Sequence, residues 1–414
     1  MRFAHVFRIT AAALLALALA ACAGLGAPAS APQTPLLLIS IDGLRPGDIT
    51  PETMPNLTRL GQTGVRAEGM QPSYPALTFP NHYTLITGLR PDHHGVIHNS
   101  MWDTQLGEFR VANREAVSDG RWWGGEPVWI GADKAGLRTA VLYWPGSEAE
   151  IDGLRPDRWR PYDGDTTAEW RADTVAGWLL EAPSTRPDFI AMYFDKVDEA
   201  SHYHGPASAE ADAARRDTDA AIGRLVNALQ ARGLLDRINI VIVSDHGFAD
   251  VPSANVIAVE DMIDIQAARA DSIGQVVTFA PNPGFEKEAE QRLLGRHDHY
   301  QCWKKSQLPA RWQYGTHSRV PAIVCQMDVG WDALPRGQIE RRLAAGPRGS
   351  HGYDPALPQM RASFIAHGPA FRPGTHLPVF DNVDVYPLLM KLLHVKPAPN
   401  DGDVHVFDAV LTGR

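Results

Sequence analysis

Cysteine is scarce in this sequence: Cys22, Cys302 and Cys325 are the only three in 414 residues. A thiolate metal site is excluded, because the later pair has no further cysteine to complete it. Long basic runs are missing, and the formal net charge is −9 at pH 7. A general electrostatic grip on nucleic acid is thereby excluded, while a local cationic pocket is not. Several hydrolase signatures are missing too: there is no G-x-S-x-G elbow, no H-E-x-x-H and no Walker-type phosphate loop. Long apolar runs are confined to Ala11–Ala21, which is too short to span a bilayer. What is plentiful is ordinary core material. Hydrophobic residues make up 44% and charged residues 21%, enough for one large domain or two ordinary ones.

The apolar run follows a basic front at Arg2 and Arg8, the layout of a secretory signal. Leu19-Ala20-Ala21-Cys22 resembles the bacterial lipobox, whose cysteine is lipidated and becomes the mature N-terminus; an ordinary signal peptide with a chance cysteine is the alternative. The expected organisation is a lipoprotein-type signal peptide at 1–21, a flexible Ala/Gly/Pro tether at 22–34 and a catalytic domain at 35–414. The protein is then exported, and periplasmic or anchored to the outer membrane through Cys22. In an oxidising compartment Cys302 and Cys325 are a reasonable disulfide pair, with two buried free thiols the alternative.

Apolar runs alternate with amphipathic stretches, which predicts an α/β fold around a largely parallel sheet. Strands are expected at Leu36–Ile41, Thr139–Trp144, Phe189–Phe194 and Ile238–Val243. Helices are expected at Met54–Gly64, Thr166–Glu181, about Ala207–Leu234 and Val383–Leu393. The segment 285–342 is less regular and reads as an insertion or cap.

Three of these strands end on acids: Asp42 after the first, Asp198 just past the third, and Asp245 after the fourth. Ligands of open α/β sheets bind at the carboxyl ends of strands, so the three acids could converge on one crevice. Asp198 and His202 stand four apart, on one face of a helical turn. Asp245 and His246 are adjacent, and His351 sits in a glycine-flanked loop. Oxygen and imidazole without thiolate suit an open zinc site, and the number of ligands allows two ions, the usual answer to in-line displacement at phosphorus. Thr78 precedes a predicted helix with Pro80 in its first turn and Gly88 at its end, which puts Thr78 at or near the N-cap. A helix N-terminus and a metal ion would both favour its alkoxide, and hence a nucleophile.

Asp42-Gly43, Thr78-Phe79-Pro80-Asn81-His82, Asp198 with His202, Ser244-Asp245-His246-Gly247 and His351-Gly352-Tyr353 together resemble the bacterial nucleotide pyrophosphatase/phosphodiesterases of the alkaline phosphatase superfamily. The resemblance implies an alkaline-phosphatase-like sheet and two zinc ions per chain. It places one ion on Asp198, His202 and His351, and the other on Asp42, Asp245, His246 and the Thr78 hydroxyl. It further implies that the Asn81 amide steadies a phosphate oxygen, and it points to Tyr162 as a ring stacked on a nucleotide base opposite Phe79. The expected reaction is hydrolysis of a nucleotide or other small phosphodiester through a covalent threonine intermediate. Rival expectations are a phosphonate hydrolase, a phosphomonoesterase, a choline-type phosphodiesterase, or a catalytically silent zinc-binding surface protein. Val197, Ser201 and Phe248 depart from residues common in the family, which bears on loop shape rather than on ligation. His82, His93, His94, His98 and His204 read as loop or supporting residues.

Overall fold

The run Leu36–Ile41, apolar except for Ser40, forms a fully buried central strand in the computed structural model, which describes residues 34–413. The expected signal run, the tether up to residue 33 and Cys22 lie outside the described residues. The main sheet contains β1 (Leu36–Ile41), β2 (Val65–Ala67), β3 (Thr139–Leu142), β4 (Arg158–Arg160), β5 (Phe189–Phe194), β6 (Asn239–Val243), β7 (Phe364–His367) and β8 (Thr375–Leu377). Their spatial order is β8-β2-β7-β6-β1-β5-β3-β4. Strand β7 runs antiparallel to β6 and β2, and the remaining neighbours are parallel.

The alternation of side chains along a strand divides the core in two. Leu37, Ile39 and Ile41 of β1 face helices α1 (Pro55–Thr63), α3 (Ala168–Leu179) and α5 (Ala209–Ala231), through Leu57, Val175 and Leu225 among others. Leu36 and Leu38 face the other layer, where α2 (Thr78–Thr87) and α6 (Val385–Leu392) contribute Tyr83, Ile86 and Leu389. Burial on both faces explains why these strands read as unbroken apolar runs. The helices predicted from periodicity are present with slightly shorter ends.

The expected irregular insertion at 285–342 needs correction. An antiparallel five-stranded sheet begins earlier, at Ala268–Ser272, and continues through Val276–Pro281, Gly295–Arg296, Tyr300–Lys304 and Ile323–Met327. It has its own core around Val277, Phe279 and Ile323. Its strands are only two to six residues long, so they carry little periodic signal. Cys302 and Cys325 face each other in register and form a disulfide.

Candidate metal centre

The order β5-β1-β6 brings three strand ends side by side, and the chain leaves each toward the same crevice. Asp42 directly follows β1, and Asp245 follows β6 by one residue. Beyond β5 the chain turns into helix α4 (Lys196–His204), whose first turns carry Asp198 and His202. His351 arrives on the loop after the strand Arg348–Ser350.

Two ligand groups result. In one, Nε2 of His202 and Nε2 of His351 are 3.0 Å apart, and each lies 3.6 Å from an oxygen of Asp198. In the other, Nε2 of His246 lies 3.4 Å from Asp42 Oδ1 and 3.0 Å from Asp245 Oδ2. The Thr78 hydroxyl stands 3.3 Å from that same nitrogen. The groups share a wall: Asp42, Asp198 and His246 also lie close enough to hold one ion, and the His246 and His351 rings stack with centroids 3.5 Å apart.

Surrounding groups aim these ligands. Nδ1 of His202, His246 and His351 meets the carbonyls of Gly349, Gly247 and Ala76 at 3.2, 3.1 and 2.9 Å. Donation through Nδ1 leaves the Nε2 lone pairs of His246 and His351 facing the cluster, whereas the Nδ1 of His202 also lies 3.0 Å from the Arg348 guanidinium, which can only donate to it. Tyr193 donates its hydroxyl to Asp42 Oδ2 at 2.5 Å, and the Gly43 amide donates to Asp245 Oδ1 at 3.1 Å. Gly43 sits at φ +68°, and a β-carbon there would meet the Phe248 ring at 2.4 Å, so both the turn and the close approach require glycine. Phe248 is fully buried and packs edge-on against His202 and His351, which gives this departure from the family pattern a packing role beside the ligands.

The other oxygens of these acids are the informative ones. Asp42 Oδ1, Asp198 Oδ1 and Asp245 Oδ2 are buried and accept no hydrogen bond. Burial, with Asp245 and Asp198 nearby, pushes Asp42 well above the usual carboxylate range. Burial, outweighing the attraction of His246 and aided by Asp245, pushes Asp198 up to about 7. Asp245 stays well below its ordinary value, because His246 and His82 outweigh its burial. Burial and nearby positive charge hold His202 down at about 3. Burial, then His246 and His202, also holds His351 well below its ordinary value. Buried Asp42 and Asp198 with unpartnered oxygens, beside the neutral imidazoles of His202 and His351, fit a divalent cation with borderline nitrogen and oxygen preference.

Thr78 is the first residue of α2 rather than its cap; Leu77 caps the helix with no side-chain bond. Its hydroxyl is therefore not used in capping. Pro80 lies in the first turn as expected.

Asn81 needs correction. It is fully buried, and its amide donates to the carbonyls of Pro75 and Leu77 at 2.8 and 2.9 Å. Its oxygen accepts from Ser73 N and Asn382 Nδ2. On a helix the third residue after Thr78 turns toward the core, so Asn81 braces the helix start and meets no cavity. Asn99, which the sequence reasoning missed, lines the cavity beside Thr78 and accepts the Phe79 amide at 2.9 Å. It lies in a loop beyond the next short helix, with no spacing signal to mark it.

His82 lies beneath the cluster, and with Asp42 and Asp245 it forms a further group close enough to hold one ion. Its Nδ1 lies 2.9 Å from the Thr78 carbonyl and 3.2 Å from Asp245 Oδ2, and its Nε2 lies 2.7 Å from Ser40 Oγ. His94 bonds Thr84 and Pro80, His93 pairs with Asp401, and neither they nor His98 nor His204 belongs to a ligand group among the described residues.

Above the cluster is a cavity of about 300 Å³ lined by Thr78, Phe79, Asn99, Tyr143, Glu148 and Tyr162, among others. The Phe79 ring packs on Phe109 and Trp123. Tyr162 is half-buried and donates its hydroxyl to Asp195 at 2.6 Å, while Asp195 in turn accepts Arg171 at 2.7 Å. The cavity thus has two aromatic walls and a carboxylate floor. Its one Arg or Lys, Arg114, is paired with Glu148.

A family model for type I phosphodiesterase / nucleotide pyrophosphatase matches residues 36–354. Bovine (Bos taurus) ectonucleotide pyrophosphatase/phosphodiesterase family member 3 is 33% identical over 386 residues, covering 89% of this chain and 43% of the relative. Venom phosphodiesterase CdcPDE of Crotalus durissus collilineatus is 32% identical over 401 residues, or 92% of this chain and 47% of the relative. The chain therefore spans about half the length of these two relatives. The structure of murine ectonucleotide pyrophosphatase/phosphodiesterase 5, an inactive variant in complex with AMP, superposes with a TM-score of 0.86 at 28% identity, covering 92% of this chain and 100% of that one. The alkaline-phosphatase-like sheet expected from the sequence is the fold observed, and the Asp/His clusters fit a metallo-phosphodiesterase. This chain belongs to the type I phosphodiesterase / nucleotide pyrophosphatase family.

Proposed function

We propose that the protein hydrolyses nucleotide phosphodiester and pyrophosphate bonds, using two zinc ions and releasing nucleoside monophosphates. The observation that carries this reading is the position of Thr78: its hydroxyl is free of any capping role, touches His246, and opens into a cavity with aromatic walls. The names of the relatives, and AMP bound to the murine one, support the same substrate class.

Asp198, His202 and His351 would hold one ion, and Asp42, Asp245, His246 and Thr78 Oγ1 the other. When bound, the ions would lower the pKa of the attacking oxygen and stabilise charge on the leaving oxygen. Thr78 Oγ1 attacks phosphorus, its bond to phosphorus forms as the bond to the leaving oxygen breaks, and the hydroxyl proton is lost to solvent. Water then attacks the phosphothreonyl ester, restoring Thr78 and releasing the monophosphate. The start of α2 faces the developing negative charge. Asn99 is the replacement we propose for Asn81 as the amide near a phosphate oxygen.

A diester is favoured over a monoester dianion because the charge of Arg114, the cavity's one Arg or Lys, is cancelled by Glu148. A panel of a nucleotide diester, the matching monoester and a phosphonate tests this. Diester turnover should dominate; a faster monoester would refute the assignment.

Tyr162 and Phe79 would hold the base between them. Stacking contributes roughly 1–3 kcal/mol per base, so Tyr162→Ala should lower kcat/KM on nucleotide diesters roughly 5- to 150-fold and scarcely change a dimethyl-type diester. Equal losses on both would mean that Tyr162 shapes the metal site instead.

We further propose that the protein is bacterial, exported, and held at a membrane by a lipid on Cys22. Among the described residues no helix is long and apolar enough to cross a membrane. Cys22→Ala should move the protein from the membrane fraction to the soluble one; unchanged fractionation would end the proposal.

A further inference from the structure

The cavity above the metal cluster continues past the ligands. A second hollow of about 470 Å³ shares Tyr162, Tyr193, Asp198 and His202 with it, and extends to Tyr203 and Arg348. A third, of about 490 Å³, shares His202, Tyr203 and Arg348 with the second and is lined further by Gln338, Arg341 and Arg342. Together they form a trench that starts at Thr78, passes Asp198 and His202, and ends among arginines.

Its two ends differ in charge. The middle carries Asp195, Asp198 and Glu199, whereas no carboxylate lines the far recess. Arg342 is buried, donates to the carbonyls of Gly346, Val251 and Pro252 at 2.9, 3.1 and 3.1 Å, and lies 3.6 Å from Asp332 behind the wall. Arg348 donates to the Gly349 carbonyl at 3.2 Å and lies 3.0 Å from His202 Nδ1. Among the described residues neither Arg348 nor Arg341 is ion-paired with a carboxylate, in a chain whose net charge is −9. Two unpaired guanidinium groups in a recess without carboxylates, beside a metal ligand, suit an anion, and their planar fork matches phosphate.

In an in-line displacement the leaving oxygen departs on the side away from the nucleophile, and the far recess is reached past His202 without touching Thr78. We infer that this recess receives a second phosphate, one carried by the leaving group, and that Arg341 and Arg348 select substrates bearing it. The inference rests on the nucleotide phosphodiesterase reading above. Two leaving groups supply that chemistry: the pyrophosphate of a nucleoside triphosphate, and an oligonucleotide whose next phosphodiester follows the scissile one.

The test compares kcat/KM of the zinc-loaded protein on a nucleoside triphosphate, on a trinucleotide and on a nitrophenyl nucleotide ester, whose leaving group has no phosphate. A charged hydrogen bond to phosphate corresponds to about a 10-fold change or more. Arg341→Ala and Arg348→Ala should therefore each lower the ratio of triphosphate to nitrophenyl-ester efficiency about 10-fold, chiefly through KM. Pyrophosphate, assayed as an inhibitor of nitrophenyl-ester cleavage, should weaken about 10-fold in Arg341→Ala. A similar drop on the trinucleotide assigns the recess to any second phosphate; a drop on the triphosphate alone assigns it to a terminal pyrophosphate. Unchanged ratios and unchanged pyrophosphate inhibition in both variants would overturn the inference. So would equal losses on all three substrates, which would mean that the arginines only hold His202. If the wild type splits none of the three, the nucleotide reading fails on its own, independently of any arginine.

Discussion

Replacing Thr78 with alanine is expected to lower kcat on a nucleotide diester by roughly 10³-fold or more, while fold and metal content stay close to wild type. The stability half of this expectation follows from the helix start. Leu77, not Thr78, occupies the N-cap, and no side-chain cap bond exists to be lost. The usual cost of about 1 kcal/mol for deleting a capping hydroxyl does not apply. The one partner of the hydroxyl is His246 Nε2 at 3.3 Å, a nitrogen that a metal ion would claim. The side chain thus has little to do except react. Thr78→Ser keeps the oxygen and should keep measurable turnover. Single-turnover experiments on that variant, quenched in acid, should trap phosphate on the hydroxyl introduced in place of the threonine. An alanine variant at wild-type rate would mean that water attacks phosphorus directly. A variant that is inactive and also metal-depleted would place the role of Thr78 in ligation.

The parts of this site visible in the sequence were those set by local geometry. Asp42, Asp198 and Asp245 stood out because a strand end is a place with a known relation to ligands, and the neighbouring order of β5, β1 and β6 makes them converge. Asp198 and His202 stood out because a spacing of four is one helical face. The role that the resemblance implies for Asn81 fails because closeness to Thr78 in sequence is not closeness in space. A helix beginning at Thr78 carries its fourth residue inward, to Ser73 and Asn382, and the cavity amide comes from Asn99 instead. The antiparallel sheet around the disulfide was invisible for a different reason. Strands such as Ala268–Ser272 and Tyr300–Lys304 are five residues long and mix apolar with polar and charged side chains, and pairing across the sheet defines them. The arginine recess joins residues of the helix Arg336–Ala344 to His202 and Tyr203 on α4, a long-range meeting that no local pattern announces.

Metal removal should abolish turnover, destabilise the protein, and do the second in a pH-dependent way. Elemental analysis should find about two zinc ions per chain, and zinc should restore activity better than magnesium, because imidazole-rich ligation suits the softer ion. The pH dependence comes from the acids at the cluster. Without metal, burial raises Asp198 from its ordinary 3.8 to about 7, and Asp42 moves the same way. A carboxylate whose folded-state pKa is raised contributes stability below its unfolded pKa and loses it as pH rises through the folded value. The metal-free protein should therefore lose stability between about pH 4 and pH 7 on account of Asp198. The loaded protein escapes that loss, because a cation compensates the same charge. His202, held at about 3, is already unprotonated in both forms across this window and adds no difference between them. Zinc must displace the acid's proton at low pH and meets a bare carboxylate above about 7, so its affinity should rise with pH. The gain in Tm on adding zinc should accordingly widen from about pH 5 to about pH 8 at fixed free zinc. Scanning calorimetry of the chelated and reloaded protein measures it directly. A gain that is flat or shrinking over that range would mean that Asp198 holds no proton in the metal-free fold. A protein that keeps full activity and Tm after chelation would remove the metal from the mechanism altogether.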